Sequence, residues 1–330
     1  MEAYEANAHS CLSFRKFEMN PPLTPGIRFI VTSLCNYNCT YCHNEWEPKT
    51  KPVSGLEVRL IGELIKSVKD LGGKEVDITG GEPLLRMDRV ETILHLANQY
   101  GMLTNLTTNG YFLDSALEML QEHRLNEIHV HIPALNPSLY RDIIGRNANL
   151  EKVLNGLNKI KGKIPIIKAN IPIEVGTNDS EVYRLLEYFS REGIVPRFIE
   201  TMATPSYPAN EQRVFDELIK SKLNGLVSLK GSYLWGINEY EFKGKPFETL
   251  RCICFDRKCT ICPRTNFIHV DQNYKIRPCN LRSFKIQAIE GECLKQVTEA
   301  IKFLEQQIDI PDEYKKIWGE NYAPLTAGND

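Results

Sequence analysis

The chain has 330 residues, of which 42% are hydrophobic, and its 40 basic and 42 acidic side chains leave a formal net charge of −2. This length and composition allow a full hydrophobic core and suit one large domain with a smaller one attached. The near-neutral charge gives no general attraction for nucleic acid or an anionic membrane, and the apolar runs are too short to span a bilayer. We therefore expect a cytoplasmic protein that binds neither nucleic acid nor membrane.

Short β-branched runs alternate with helical patterns from Ile27 onward. In the stretch 55–71, for example, leucine and valine recur every three or four residues, which indicates a helix. The alternation of strand and helix predicts a parallel sheet with right-handed crossovers, folded as a partial barrel or an open doubly wound sheet. The predicted strands are 27–32, 75–79, 103–108, 127–132, 166–173 and 196–202, and the helices are 55–71, 87–100, 114–123, 149–160 and 180–192.

The pattern changes after Met202. The Pro-rich polar run "ATPSYPANEQ" is followed by another predicted helix, 214–223, and by a second group of cysteines. We therefore predict three segments: an N-terminal extension (1–26), an α/β barrel (27–210) and a C-terminal domain (211–330). In a parallel α/β sheet, the chemistry is expected at the C-terminal ends of the strands.

The first group of cysteines follows the first predicted strand. Cys35, Cys39 and Cys42 have the spacing C-x3-C-x2-C. A structural zinc site needs four ligands, and the adjacent His43 could not easily turn onto the same ion. A cubane 4Fe-4S cluster takes one ligand per iron, so three thiolates leave one iron open for a cofactor or substrate. The spacing therefore favours the cluster.

This cysteine motif, with Tyr41 before its last cysteine, resembles that of the radical S-adenosylmethionine (SAM) superfamily. The resemblance implies that the open iron binds SAM, whose reductive cleavage gives a 5′-deoxyadenosyl radical that abstracts a substrate hydrogen. It also implies an electron donor of the flavodoxin or ferredoxin kind. Further motifs of the family occur at later strand ends, and the resemblance implies that they contact SAM: GGEP (Gly80, Gly81, Glu82, Pro83), TTNG (Thr108, Asn109) and RFIE (Arg197).

The second group of cysteines comprises Cys259, Cys262 and Cys279, whose spacing alone fits zinc or iron–sulfur equally well. It resembles the auxiliary-cluster region, of the Twitch or SPASM kind, in the GTP 3′,8-cyclase family of molybdenum-cofactor biosynthesis, including the run "DQNYKIRPC". The resemblance implies a partial (βα)6 TIM-like barrel followed by a small domain with a second, auxiliary 4Fe-4S cluster. Cys252 or Cys254 could complete that cluster, donate a hydrogen atom to a product radical, or do neither.

The residues expected to bind substrate depart from the cyclase pattern. Arg28, Lys168 and Arg264 match basic residues that bind a triphosphate in that family. Two further basic positions are occupied here by Glu75 and Asp77, which would repel a polyanion, so we do not expect GTP as the substrate. If these two carboxylates face the barrel interior, they suit a hydroxylated or cationic substrate; if they face outward, they are solvated surface.

A histidine ends the fourth predicted strand. His131 could carry a proton or bind substrate, or it could be hydrogen-bonded in the barrel wall, and His129 would share its face. We expect a radical SAM enzyme that acts on a nucleoside, nucleotide sugar or sugar derivative by epimerisation, cyclisation, dehydrogenation or decarboxylation. The alternative is a maturase of a peptide, which the short segment before the first strand disfavours. A GTP 3′,8-cyclase or a non-enzymatic metal-binding protein is less favoured.

Overall fold

The computed structural model describes residues 26–42, 58–201, 215–223, 227–232, 237–250, 267–278 and 285–305. Its first six strands are β1 (Gly26–Ile30), β2 (Glu75–Thr79), β3 (Leu103–Thr108), β4 (Glu127–His131), β5 (Ile166–Ile173) and β6 (Val195–Glu200). The helices among them are α1 (Val58–Asp70), α2 (Met87–Gln99), α3 (Leu113–Glu122), α4 (Pro137–Ile144), α5 (Leu150–Ile160) and α6 (Val182–Arg191). All six predicted strands and the five predicted helices are confirmed.

Strands β1 to β6 pair in parallel and in chain order, as expected for a partial barrel. β4 shows how each strand divides its two faces, since Ile128 and Val130 are buried on the side of the hydrophobic core. Glu127, His129 and His131 alternate with them and face the other way. The core thus lies between the sheet and its helices, and polar groups remain on the opposite face. The predicted α/β partial barrel is confirmed.

Helix α4 was not predicted, because eight residues are too few to show a clear apolar period. A local signal was nevertheless present in the sequence. Asn136 caps the helix by accepting hydrogen bonds from the amides of Ser138 and Leu139, and Pro137 occupies the first helical position. Asparagine followed by proline is a typical helix start.

Strands from the C-terminal segment continue the same sheet at both edges. β9 (Lys245–Leu250) pairs in parallel with β6, and β10 (Phe267–Val270) pairs in parallel with β1. Antiparallel pairing adds β7 (Val227–Ser232) and β8 (Ile237–Phe242) beyond β9, and β11 (Lys275–Arg277) and β12 (Ile286–Gln287) beyond β10. The predicted limit between 27–210 and 211–330 stays a prediction about domains, because the sheet itself extends across it.

Two helices of the C-terminal segment complete the described elements. α7 (Phe215–Lys222) confirms the helix expected over 214–223, and α8 (Cys293–Glu305) packs against α1. None of the helices in the described ranges combines the length and the apolar character that a membrane span needs.

Candidate active site at the strand ends

The loop after β1 carries three thiols. Cys35 and Cys39 are half-buried, and Cys42 is exposed. Burial raises the pKa of the Cys39 thiol to about 12, and the neighbouring Cys35 and Cys42 add to that rise. A thiol that resists ionisation in this way becomes a thiolate when a bound metal supplies positive charge. The loop therefore offers three sulfur ligands to a metal centre.

Hydrogen bonds reach two of these sulfurs. The Tyr37 amide donates to the Cys35 sulfur at 3.4 Å, and the Asn109 side-chain amide lies 3.8 Å from the same atom. The Tyr41 hydroxyl is hydrogen-bonded to the Cys39 sulfur. Such bonds are typical of sulfurs that hold iron–sulfur clusters and tune their potential. The donor set and its surroundings fit a cluster with three thiolates.

A single metal ion fits the described residues less well than a cluster. Within the described ranges, no three Cys, His, Asp or Glu side chains come close enough to bind one ion together. A cubane does not require that, because each thiolate binds a different iron atom.

The turn after α4 fixes the backbone of the cysteine loop. Arg146 donates to the Cys35 carbonyl at 2.6 Å, and Asn147 donates to the Asn36 carbonyl at 2.9 Å. Two amides of the loop also donate to the last carbonyls of α4, at 2.9 and 3.1 Å. Arg146 and Asn147 were not predicted, because nothing in the order of the chain indicates that this turn meets the loop.

The GGEP segment after β2 runs directly against the same loop. A Cβ atom on Gly81 would lie 2.3 Å from the Leu34 carbonyl oxygen, and one on Gly80 would lie 2.6 Å from that of Thr32. These contacts are too short for any side chain. The Gly81 amide donates to the Thr32 carbonyl at 2.8 Å. The two glycines therefore let the backbones of the first two strand ends touch, whichever ligand they hold.

Glu82 joins the GGEP and TTNG motifs. Its carboxylate accepts hydrogen bonds from the Thr108 hydroxyl and the Asn109 amide, both at 2.7 Å, and from the Leu84 amide at 2.9 Å. Burial raises the pKa of Glu82 to about 7, and these hydrogen bonds oppose the rise. Glu82 is fully buried and caps the turn that Pro83 begins. It positions the two motifs, and the contact of this segment with SAM stays a prediction.

A chain of ion pairs lines the inner face of β4, β5, β6 and β9. Glu127 accepts from His129 Nε2 at 2.5 Å and pairs with Lys168 Nζ at 2.9 Å. Glu248 pairs with Lys168 at 3.0 Å and with Arg197 Nε at 2.5 Å. Burial would raise the pKa of Glu248, but the two cations outweigh it and bring that pKa to about 2. Lys168 and Arg197 were predicted site residues, whereas neither of their carboxylate partners was predicted.

A second ion pair joins β1 and β2. Arg28 pairs with Asp77, whose side chain is almost fully buried, and the guanidinium lies 4.8 Å from the ring centre of Phe267. Asp77 alternates along β2 with Val76 and Ile78, which lie in the core, so Asp77 is on the face toward the barrel interior. Glu75 is half-buried and shares this face by strand alternation.

His131 and Asn170 meet at the ends of β4 and β5. Asn170 Nδ2 lies 3.4 Å from His131 Nε2. The side-chain oxygen of Asn170 is buried and has no hydrogen-bond partner among the described residues. A buried acceptor of this kind is available to a hydroxyl or amino group of a ligand.

A hairpin of the C-terminal segment supports the cysteine loop. The Gln272 side chain accepts a hydrogen bond from the Ser33 amide at 2.8 Å. Asp271, at the start of the run that resembles the cyclase motif, accepts from the Lys275 amide at 3.0 Å and from Arg277 at 2.9 Å. The aspartate and arginine of this motif thus shape the hairpin. Several predicted site residues lie outside the described residues, and their roles stay predictions: Cys252, Cys254, Cys259, Cys262, Arg264 and Cys279.

Comparisons with known proteins agree with this arrangement. The profile of the Radical SAM superfamily matches residues 29–189. The probable GTP 3′,8-cyclase of Archaeoglobus fulgidus is 31% identical over 284 residues, which cover 83% of this chain and 92% of that relative. The chain belongs to the radical SAM superfamily and is an enzyme of this class, which uses a 4Fe-4S cluster and SAM.

Within the superfamily, the chain is similar in sequence to GTP 3′,8-cyclases. That of Hydrogenovibrio crunogenus is 36% identical over 180 residues, which cover 53% of this chain and 54% of the relative.

Solved structures of other radical SAM enzymes share the fold. SuiB of Streptococcus suis has a TM-score of 0.61 at 17% identity, and the match covers 83% of this chain and 65% of SuiB. The enzyme anSMEcpe with bound AdoMet and a peptide has a TM-score of 0.55 at 16% identity, with 90% and 86% of the two chains covered. At such identities the likeness concerns the fold alone.

Proposed function

We propose that this radical SAM enzyme acts on a hydroxylated small molecule of neutral or positive charge, such as a nucleoside or a sugar derivative. The pairing of the interior cations supports the proposal. Arg28 pairs with Asp77, and Lys168 and Arg197 share Glu248. Because each of these cations has a carboxylate partner, the wall offers little positive charge to a polyphosphate.

The same wall provides acceptors for hydroxyl and amino groups. Glu75 and Asp77 lie on its β2 face, and the side-chain oxygen of Asn170 is buried at the end of β5. Carboxylates and amide oxygens accept hydrogen bonds from sugar hydroxyls and from ammonium groups. A nucleotide sugar fits this wall less well than a nucleoside or a free sugar derivative, because the cations that could hold its diphosphate already have carboxylate partners.

The residues of the chain contribute orientation and protection. Held by Cys35, Cys39 and Cys42, the cluster and its SAM would supply a 5′-deoxyadenosyl radical that abstracts a hydrogen atom from the substrate. Glu82 fixes the motifs beside this centre, and the barrel wall orients the substrate and excludes water from it. Arg197 pairs with Glu248 through its Nε atom. Its Nη groups carry further N–H donors that could bind the carboxylate of SAM.

Further parts of the proposal concern the electron supply. A flavodoxin- or ferredoxin-like protein would reduce the cluster. Cys259, Cys262 and Cys279 would hold an auxiliary 4Fe-4S cluster, with Cys252 or Cys254 as its fourth ligand, as a hydrogen donor, or in neither role.

Two other substrate classes remain as candidates. One is GTP, which is favoured by the 31% identity to a probable GTP 3′,8-cyclase. The pairing of the interior cations argues against GTP. A peptide is the other, since solved structures with this fold include SuiB bound to precursor peptide SuiA.

The test measures 5′-deoxyadenosine release after reconstitution without oxygen, with SAM, a reductant and single members of a substrate panel. The panel contains nucleosides, nucleotide sugars, aminoglycosides, GTP and short peptides, and the Cys39→Ala variant is the blank. We expect stimulation by nucleosides or sugar derivatives and none by GTP. Stimulation by GTP, or by peptides alone, would replace the proposed substrate class.

A further inference from the structure

Glu248 connects the C-terminal segment to two cations of the barrel wall. It lies on β9, where the parallel register places it beside Arg197 of β6. One carboxylate oxygen is 2.5 Å from Arg197 Nε, and the other is 3.0 Å from Lys168 Nζ. The three side chains are only 12 to 15% exposed. A carboxylate that uses both oxygens in this way fixes both cations and compensates their charge.

Lys168 has a second carboxylate partner, which makes the arrangement one continuous unit. Glu127 lies 2.9 Å from Lys168 Nζ and also accepts from His129. Two carboxylates and two cations therefore alternate across four strands, with no net charge when His129 is neutral. Burial and the nearby Arg197 lower the pKa of His129, so its imidazole is neutral near pH 7.

We propose that Glu248 is a specificity-determining residue, which excludes polyphosphates from the barrel by holding Lys168 and Arg197 in ion pairs. The inference rests on the proposed function and assigns to Glu248 the preference for a substrate of neutral or positive charge. Without this carboxylate, Arg197 would lose its ion-pair partner and Lys168 would keep only Glu127, so the wall would present one uncompensated positive charge to the interior. Lysine and arginine in that state are the groups with which proteins bind phosphate.

A purely structural role for Glu248 makes a different prediction. If the carboxylate only holds β9 against the barrel, its loss lowers the unfolding temperature and leaves anion affinity unchanged. If it determines specificity, its loss creates an anion site at the same time. Anion binding therefore separates the two roles, and it needs neither the true substrate nor turnover.

The experiment compares Glu248→Gln with the wild type, each as the full chain with its clusters reconstituted without oxygen. Calorimetry measures binding of inorganic tripolyphosphate and of GTP at low and high salt. We expect weak binding to the wild type and at least about tenfold tighter binding to Glu248→Gln, with the gain lost at high salt. Equal affinities for the two proteins would overturn the inference.

Glu192→Gln is the matched control. Glu192 also bridges a lysine and an arginine, Lys161 at 2.7 Å and Arg191 at 3.5 Å, but it lies after α6 and outside the wall. This variant changes the net charge by the same amount and is expected to bind tripolyphosphate as the wild type does. If Glu192→Gln gained the same affinity for tripolyphosphate, the change in net charge would explain the effect, and the inference would be overturned.

A second variant decides the matter if Glu248→Gln does not fold. Glu127→Gln releases Lys168 from one partner only, so a smaller gain in tripolyphosphate affinity is expected, and no gain counts against the inference. The outcomes also separate the two proposals. Tight GTP binding by the wild type would contradict the proposed function, whereas weak binding by the wild type and by both variants would contradict only the role of Glu248.

Discussion

The cysteine loop and the barrel wall are held by different kinds of contact. Around the loop, most polar contacts involve the backbone, as where Arg146 donates to the Cys35 carbonyl and Gln272 accepts from the Ser33 amide. Along the wall, the contacts are ion pairs between side chains, such as Arg197 with Glu248. The loop therefore depends on shape and the wall on charge.

The largest effect is expected from Cys39→Ala at the loop. The change removes one of the three thiols proposed to bind the cluster, so we expect the iron of this cluster and SAM-dependent 5′-deoxyadenosine release to fall to background. Iron analysis and product assay measure the result. Cys293→Ala is the matched control, since Cys293 is a buried cysteine of α8 with no predicted ligand role. Iron content that is unchanged in Cys39→Ala would remove this cysteine from the site.

The next effect concerns the wall. Arg197→Met leaves Glu248 with Lys168 alone, and removing one partner of a buried ion pair costs about 3 to 5 kcal/mol in the free energy of unfolding. Denaturant titration measures the loss. The double variant Arg197→Met with Glu248→Leu should recover part of it, because the remaining pair of Lys168 and Glu127 is again balanced in charge. If the double variant loses as much free energy of unfolding as the two single variants together, the two residues do not interact.

A smaller effect is expected where the glycines touch the loop. Gly81→Ala places a Cβ atom against the Leu34 carbonyl, which we expect to lower the free energy of unfolding by about 1 to 3 kcal/mol and to weaken SAM binding. Calorimetry with SAM measures the binding. Gly62→Ala is the control, because a Cβ atom there meets its nearest neighbours at 3.8 Å inside helix α1. Normal SAM affinity in Gly81→Ala would contradict the close approach.

The smallest effect is expected from the contact between the C-terminal hairpin and the loop. Gln272→Ala removes the acceptor of the Ser33 amide, a change of about 1 kcal/mol, so SAM affinity should fall by roughly fivefold with the cluster still assembled. Gln121→Ala, an exposed position of helix α3 away from the hairpin, is the control. If both variants bind SAM alike, the hairpin does not position the loop.

Much of the fold could be predicted because its signals are local. The spacing of apolar residues in a helix such as α1, and the β-branched run of β5, depend on neighbours in sequence. Helices α4 and α8 and strands β7 to β12 were not predicted. Helix α4 has only eight residues, and β9 and β10 pair with β6 and β1, which lie far along the chain. For the site, the sequence supplied the cysteines, the glycine pair and the cations, whose residue types are rarely interchangeable.

The sequence by itself determined the radical SAM motifs, because three thiols and two glycines at fixed spacing are a requirement of the chemistry and of the backbone. Only the tertiary structure decided what each charged side chain faces. Asp77 proved to be the partner of Arg28, and Glu248 the shared partner of Lys168 and Arg197. Register between strands brings these groups together, and strand register depends on packing of the whole sheet.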